Sequence, residues 1–105
     1  MFLFKEIKPN IHNSQFCQGE THIQFPWYGG KANSIKIELE FGNFDNLPEN
    51  ITLKINNKSF NPTLNQGSKT QIITIEQEFE TNLFNLSIST ELPVRFRVLK
   101  VTPSV

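Results

Sequence analysis

Every second side chain is apolar across residues 34–41, where Ile35, Ile37, Leu39 and Phe41 alternate with Lys36, Glu38 and Glu40. Successive side chains of an extended strand point to opposite faces, so this spacing describes a strand with one apolar and one wet face. The pattern recurs along the chain. Ile51, Leu53 and Ile55 alternate with Thr52 and Lys54, and Ile73, Ile75 and Phe79 share one parity. Phe84, Leu86 and Ile88 oppose Asn85, Ser87 and Ser89, while Val94, Phe96 and Val98 oppose Arg95 and Arg97. After Val98 the parity slips to Leu99 and Val101, which marks either a bulge or a strand buried on both faces. One-sided alternation of this kind belongs to antiparallel sheets that lay one face on a core.

The residue inventory agrees: eleven Ile, ten Phe, eight Thr and four Val stand against a single Ala. That set favours strands and disfavours helices. About seven strands are expected, near residues 2–8, 20–25, 34–42, 50–56, 70–79, 83–90 and 94–102. Turn residues separate them: Gly29-Gly30, the Asn-rich stretch 43–50 with Pro48, Asn56-Asn57, residues 62–67, and Leu92-Pro93. Asn tolerates positive φ, so Asn56-Asn57 fits a tight hairpin between Ile55 and Lys58. Ile75, Phe79, Leu83 and Leu86 also fit a helical stripe. Thr81-Asn82 in its middle favours a hairpin. With 105 residues and no linker or repeat, the chain reads as one domain over residues 1–105. The expected architecture is all-β: a single antiparallel sandwich, jelly-roll or immunoglobulin-like.

Composition narrows the function. Ten Lys+Arg balance ten Asp+Glu, which disfavours nucleic acid as a partner. The apolar start Met1-Phe2-Leu3-Phe4 is too short for a signal core or a membrane span, so no membrane insertion is expected and the default location is cytoplasmic. That default changes if the chain is a fragment of a larger protein. Cys17 is the only cysteine and forms no internal disulfide.

Little of the chain suits catalysis. Cys17 and His22 are the one nucleophile–base pair close in sequence, and an extended segment sets them on opposite faces. With His12, they give no zinc spacing. Asn43, Asp45, Asn46 and Glu49 make an oxygen-rich loop, but carboxylate-poor for calcium, and such residues ordinarily serve turns. No metal, cofactor or catalytic residue is assigned, and the protein is read as not an enzyme. Glu76, Glu78 and Glu80 share a solvated face, and Arg95, Arg97 and Lys100 are expected on a neighbouring strand or in contact with the same partner.

The most informative segment is Phe25-Pro26-Trp27-Tyr28-Gly29-Gly30-Lys31, which holds the only Trp and the only Tyr. Adjacent aromatics in a loop offer faces on which a sugar ring stacks. Trp27 and Tyr28 are the expected ligand platform, with His22, Gln24 and Lys31 as flanking polar contacts. The competing reading makes Trp27 the central core aromatic of the sandwich.

Residues 34–41, the segment 47–60 with its Pro-Glu-Asn-Ile-Thr-Leu-Lys-Ile-Asn-Asn-Lys hairpin, residues 84–89 and the closing strand 93–103 together resemble small jelly-roll or sandwich modules of the carbohydrate-binding type. Such modules include those attached to bacterial surface-polysaccharide enzymes. The resemblance implies a noncatalytic module that recognises a glycan or serves as an accessory domain of such an enzyme. The alternative is a structural or assembly sandwich, such as a phage or surface-appendage component, that makes protein–protein contacts. Exposed aromatics at 27 and 28 favour the first, buried ones the second.

Overall fold

The computed structural model describes residues 17–28, 30–42, 47–91 and 94–104. The expected strand over residues 2–8, His12, and the loop residues Asn43, Asp45 and Asn46 lie outside these. The described residues form an all-β structure: β1 (Cys17–Gln18), β2 (Glu20–Pro26), β3 (Lys31–Ala32), β4 (Ser34–Phe41), β5 (Thr52–Ile55), β6 (Lys58–Phe60), β7 (Thr70–Ile75), β8 (Phe79–Glu80), β9 (Leu83–Ser89) and β10 (Arg95–Ser104). The stretch around 79–86 is strand–turn–strand, and the helical alternative falls. β6 completes the hairpin expected at Asn56-Asn57, the strand expected over 70–79 divides into β7 and β8, and short β3 was not expected, because two residues carry too little alternation to register.

All pairings are antiparallel and they nest. β1 pairs with β10, β2 with β9, β3 with β8, β4 with β7 and β5 with β6, as in one long hairpin. Two further pairings, β10 with β4 and β9 with β5, roll that hairpin over on itself. The products are two four-stranded sheets, β1-β10-β4-β7 and β2-β9-β5-β6, with β3-β8 as a small ribbon beside them. Among the described residues, this nesting of the first strand with the last is the jelly-roll form of the sandwich, not the immunoglobulin order.

The parity argument predicts the core well. Ile35, Ile37, Leu39, Leu53, Ile55, Ile73, Ile75, Leu86, Ile88, Phe96 and Val98 are all buried in one cluster shared by both sheets. The slip after Val98 is a bulge. The β10–β4 register shifts between Val98 and Lys100, Leu99 turns outward and Val101 returns to the core. Asn56 takes the left-handed conformation (φ 55°) at the β5–β6 turn. Phe84 organises an aromatic group at the β2–β9 end of the core: Phe25 stacks on it at 5.4 Å between ring centroids, and Trp27 and Phe79 meet it edge-on at 6.2 and 5.7 Å.

One core position is polar. Gln71 has the inward parity of β7 and is only 3% exposed. Its Oε1 accepts from the Asn65 N–H at 2.8 Å, and its Nε2 donates to the carbonyls of Asn65 (2.8 Å) and Ser68 (2.7 Å). The connection is tied elsewhere by the Asn50–Thr63 bridge and by backbone bonds from Ile51 to Pro62 and from Leu64 to Glu49, and the Gln71 amide satisfies the part-buried backbone groups of Asn65 and Ser68 between them.

The acidic run and the basic strand are not neighbours, contrary to expectation. β10 lies between β1 and β4, whereas β8 pairs with β3. Arg97 faces Glu40 across the β10–β4 register, with its Nε 2.6 Å from Glu40 Oε1. Glu78 instead meets Lys31, at 3.2 Å.

Candidate functional site

Alternation that buries one face of β2-β9-β5-β6 leaves the other face polar, and register arranges it in rows. His22, Ser87, Lys54 and Ser59 occupy one row, through the pairs His22↔Ser87, Lys54↔Ser87 and Lys54↔Ser59. Gln24 and Asn85 are opposed in the next, and Asn56 extends it. Its N–H donates to the Asn85 carbonyl at 2.8 Å, and its Oδ1 accepts from the Asn85 N–H at 2.9 Å. Gln24 Nε2 donates to Asn85 Oδ1 at 2.6 Å. Two amides from neighbouring strands and a third from the β5–β6 turn are therefore held in line.

These rows line an open groove of about 300 Å³, formed by His22, Gln24, Lys54, Asn56, Asn85 and Ser87 over the backbones of Ile23 and Leu86. A second hollow of about 420 Å³ adjoins it at Asn56 and runs past Lys58 to Glu78, Glu80 and Thr81. Among the described residues no carboxylate lines the first groove; Glu20 lies 3.3 Å from His22 Nε2. Among the described residues no group of three or more His, Cys, Asp or Glu gathers as metal ligands would.

Comparison with protein-family models, curated proteins and solved structures gives no match to this chain. What the domain can bind is therefore read from its own surface.

The expected platform is corrected at Trp27. Its side chain is 1% exposed, while that of Tyr28 is 78% exposed. Trp27 continues the inward parity of Ile23 and Phe25, and its N–H bonds to the Asn82 carbonyl at 3.0 Å, so the strand's alternation persists past the end of β2. That parity was visible in the sequence and outweighs the loop-like composition around it. Of the two, Tyr28 alone presents its ring to solvent, and it does not line either hollow. His22 and Gln24 line the groove. Lys31 sits opposite Glu80 in the β3–β8 ribbon and is drawn to Glu78, away from the groove.

Asn85, Asn56, Ser87 and Lys54 were missed as site residues. Their outward parity was legible. Their convergence on Gln24 was not, because it depends on β9 lying between β2 and β5. Cys17 and His22 end in different sheets, separated by Gly19 at φ 84°, so the local nucleophile–base pair does not assemble along one strand.

Proposed function

We propose that this domain is a noncatalytic module that binds a glycan on the outer face of the β2-β9-β5-β6 sheet. The observation that carries the proposal is the row Gln24–Asn85–Asn56 in the groove. Each amide spends part of its hydrogen-bonding capacity on a neighbour and is thereby held in place. Gln24 Oε1 and Asn85 Nδ2 make no hydrogen bond among the described residues, which leaves an acceptor and a donor on two amides bonded to each other. Sugar hydroxyls both donate and accept, so vicinal hydroxyls match such a pair. Fixed amides also lower the ordering cost of binding. The groove lies at the lower end of the ~300–1,000 Å³ typical of small-molecule sites, a size for a short segment of a glycan chain. With no Phe, Tyr or Trp lining the groove among the described residues, and hydroxyls that exchange their bonds with water, affinity is modest. In line with the resemblance noted above, such a module suits an accessory role beside a polysaccharide-directed enzyme.

A glycan array followed by titration in a calorimeter tests this reading. Gln24→Ala and Asn85→Ala should abolish binding with the melting temperature nearly unchanged, while Tyr28→Ala leaves binding intact. Absence of any glycan ligand overturns the reading. Burial of Trp27 favours the second reading, a structural or assembly sandwich, and that reading takes over if no glycan binds.

A further inference from the structure

Among the described residues β2, β6 and β7 lie at edges of the two main sheets, and β2 and β6 carry devices that discourage pairing with another chain. β6 is three residues long, carries Lys58 and is followed by Pro62. β2 bears Glu20 and His22 and ends on Pro26. β7 carries none of these devices. Its six residues, Thr-Gln-Ile-Ile-Thr-Ile, include no charge, Pro or Gly, and it pairs with β4 without a bulge. Among the described residues β4 is its only strand neighbour, and Ile72 at its centre is 63% exposed.

We infer that β7 is a self-association edge at which two copies of this chain pair antiparallel into one continuous sheet. Backbone geometry selects the register. The Phe41 N–H donates to the Lys69 carbonyl, so residue 69 bonds toward β4. Alternation along an antiparallel ladder then directs the backbone groups of Gln71, Ile73 and Ile75 toward β4, and those of Thr70, Ile72 and Thr74 toward the open edge. A twofold axis normal to the sheet keeps each face on its own side, so only residues of equal parity can oppose. Opposing Ile72 to Ile72 of the second copy, and Thr70 to Thr74, meets both conditions. All three residues of each chain then exchange both backbone bonds, and the two exposed isoleucines cover each other.

Charge supports the antiparallel sense and a second copy as the occupant. Lys69 precedes the strand and Glu76 follows it, both exposed. Antiparallel pairing sets the basic end of each β7 beside the acidic end of the other, whereas parallel pairing would set like beside like. One strand pairing buries less than the roughly 1,200 Å² at the low end of specific interfaces, so the dimer is weak and concentration-dependent.

Sedimentation of the full chain from micromolar to millimolar concentration, with amide exchange at each end of that range, tests the inference. The expected result is a monomer that becomes a dimer, with exchange of the Thr70, Ile72 and Thr74 amides slowing as concentration rises. Amides of Gln71, Ile73 and Ile75 should be slow throughout. Ile72→Lys, at an exposed position, and Thr74→Pro, which removes an N–H directed to the open edge, should both remain monomeric with wild-type melting. A monomer at every concentration overturns the inference. So does a dimer that persists in both variants. Concentration-independent protection of the Thr70, Ile72 and Thr74 amides overturns it as well, since it places another segment of the same chain on the edge.

Discussion

Replacing Gln71 by leucine removes three hydrogen bonds at once and leaves their partners, the Asn65 N–H and the carbonyls of Asn65 and Ser68, without the groups that satisfied them. A protein hydrogen bond contributes about 0.5–1.5 kcal/mol net, so the three together are worth roughly 1.5–4.5 kcal/mol. Two effects reduce this. Leucine gains apolar burial at a site that is 3% exposed, which offsets about 1–2 kcal/mol. Asn65, Gln66 and Gly67 are exposed, so water reaches part of the orphaned backbone. The expected net cost is about 1–3 kcal/mol, a fall of roughly 4–15 °C in melting temperature for a domain of this size. Urea unfolding gives the free energy. Limited proteolysis should show a new cleavage site within residues 61–69, because the lost bonds tie that loop to β7. Gln71→Glu sharpens the test by keeping the shape while replacing a donor with an oxygen that faces two carbonyls. Ionisation is disfavoured there, so the folded-state pKa of the introduced carboxyl rises above its unfolded value. The variant's stability is then highest below the ordinary carboxylate range and falls as pH rises through it. A Gln71→Leu variant within about 0.5 kcal/mol of wild type, the usual range for surface changes, would refute the reasoning. A Gln71→Glu variant whose pH dependence matches wild type would refute it equally.

Two further substitutions separate packing from surface chemistry. Trp27→Ala should cost about 3–5 kcal/mol, whereas Trp27→Phe should cost under about 1.5 kcal/mol, since it also removes the Nε1 donor that lies buried without an acceptor. Equal costs measured by denaturant unfolding would show that the aromatic packing on Phe84 is not what holds Trp27. A double-mutant cycle on Glu40 and Arg97 should return a coupling of about 1–2 kcal/mol that weakens only slightly with salt, because the pair is partly buried. The same cycle on Glu78 and Arg97 should return none, since Glu78 stands in the connection between β7 and β8, paired with Lys31, while Arg97 pairs with Glu40 on β10.

Alternation is a local property of the chain, so it was legible wherever a strand is long enough to repeat it. The inward faces of β4, β5, β7, β9 and β10, the slip at Leu99 and the turn at Asn56 were all readable before any contact was known. The outward set Asn85, Ser87 and Ser89 was readable for the same reason. Trp27 was readable too, had the parity of Ile23 and Phe25 been carried through it. Which strands lie side by side is another kind of fact. Arg97 found Glu40 instead of the acidic run, Lys31 found Glu78, and Gln24 met Asn85 and Asn56, each through a register set by closing the long hairpin and rolling it over. Gln71 shows the limit most clearly. Its inward parity was plain, but a polar side chain at a core position is tolerable only because the 61–69 connection passes close enough to receive its hydrogen bonds. The sequence by itself determined which face of each strand avoids water, because transfer of apolar area depends on the side chains alone. The tertiary structure decided which polar groups meet, because a hydrogen bond or ion pair requires two partners that the chain brings together only when the sheets have formed.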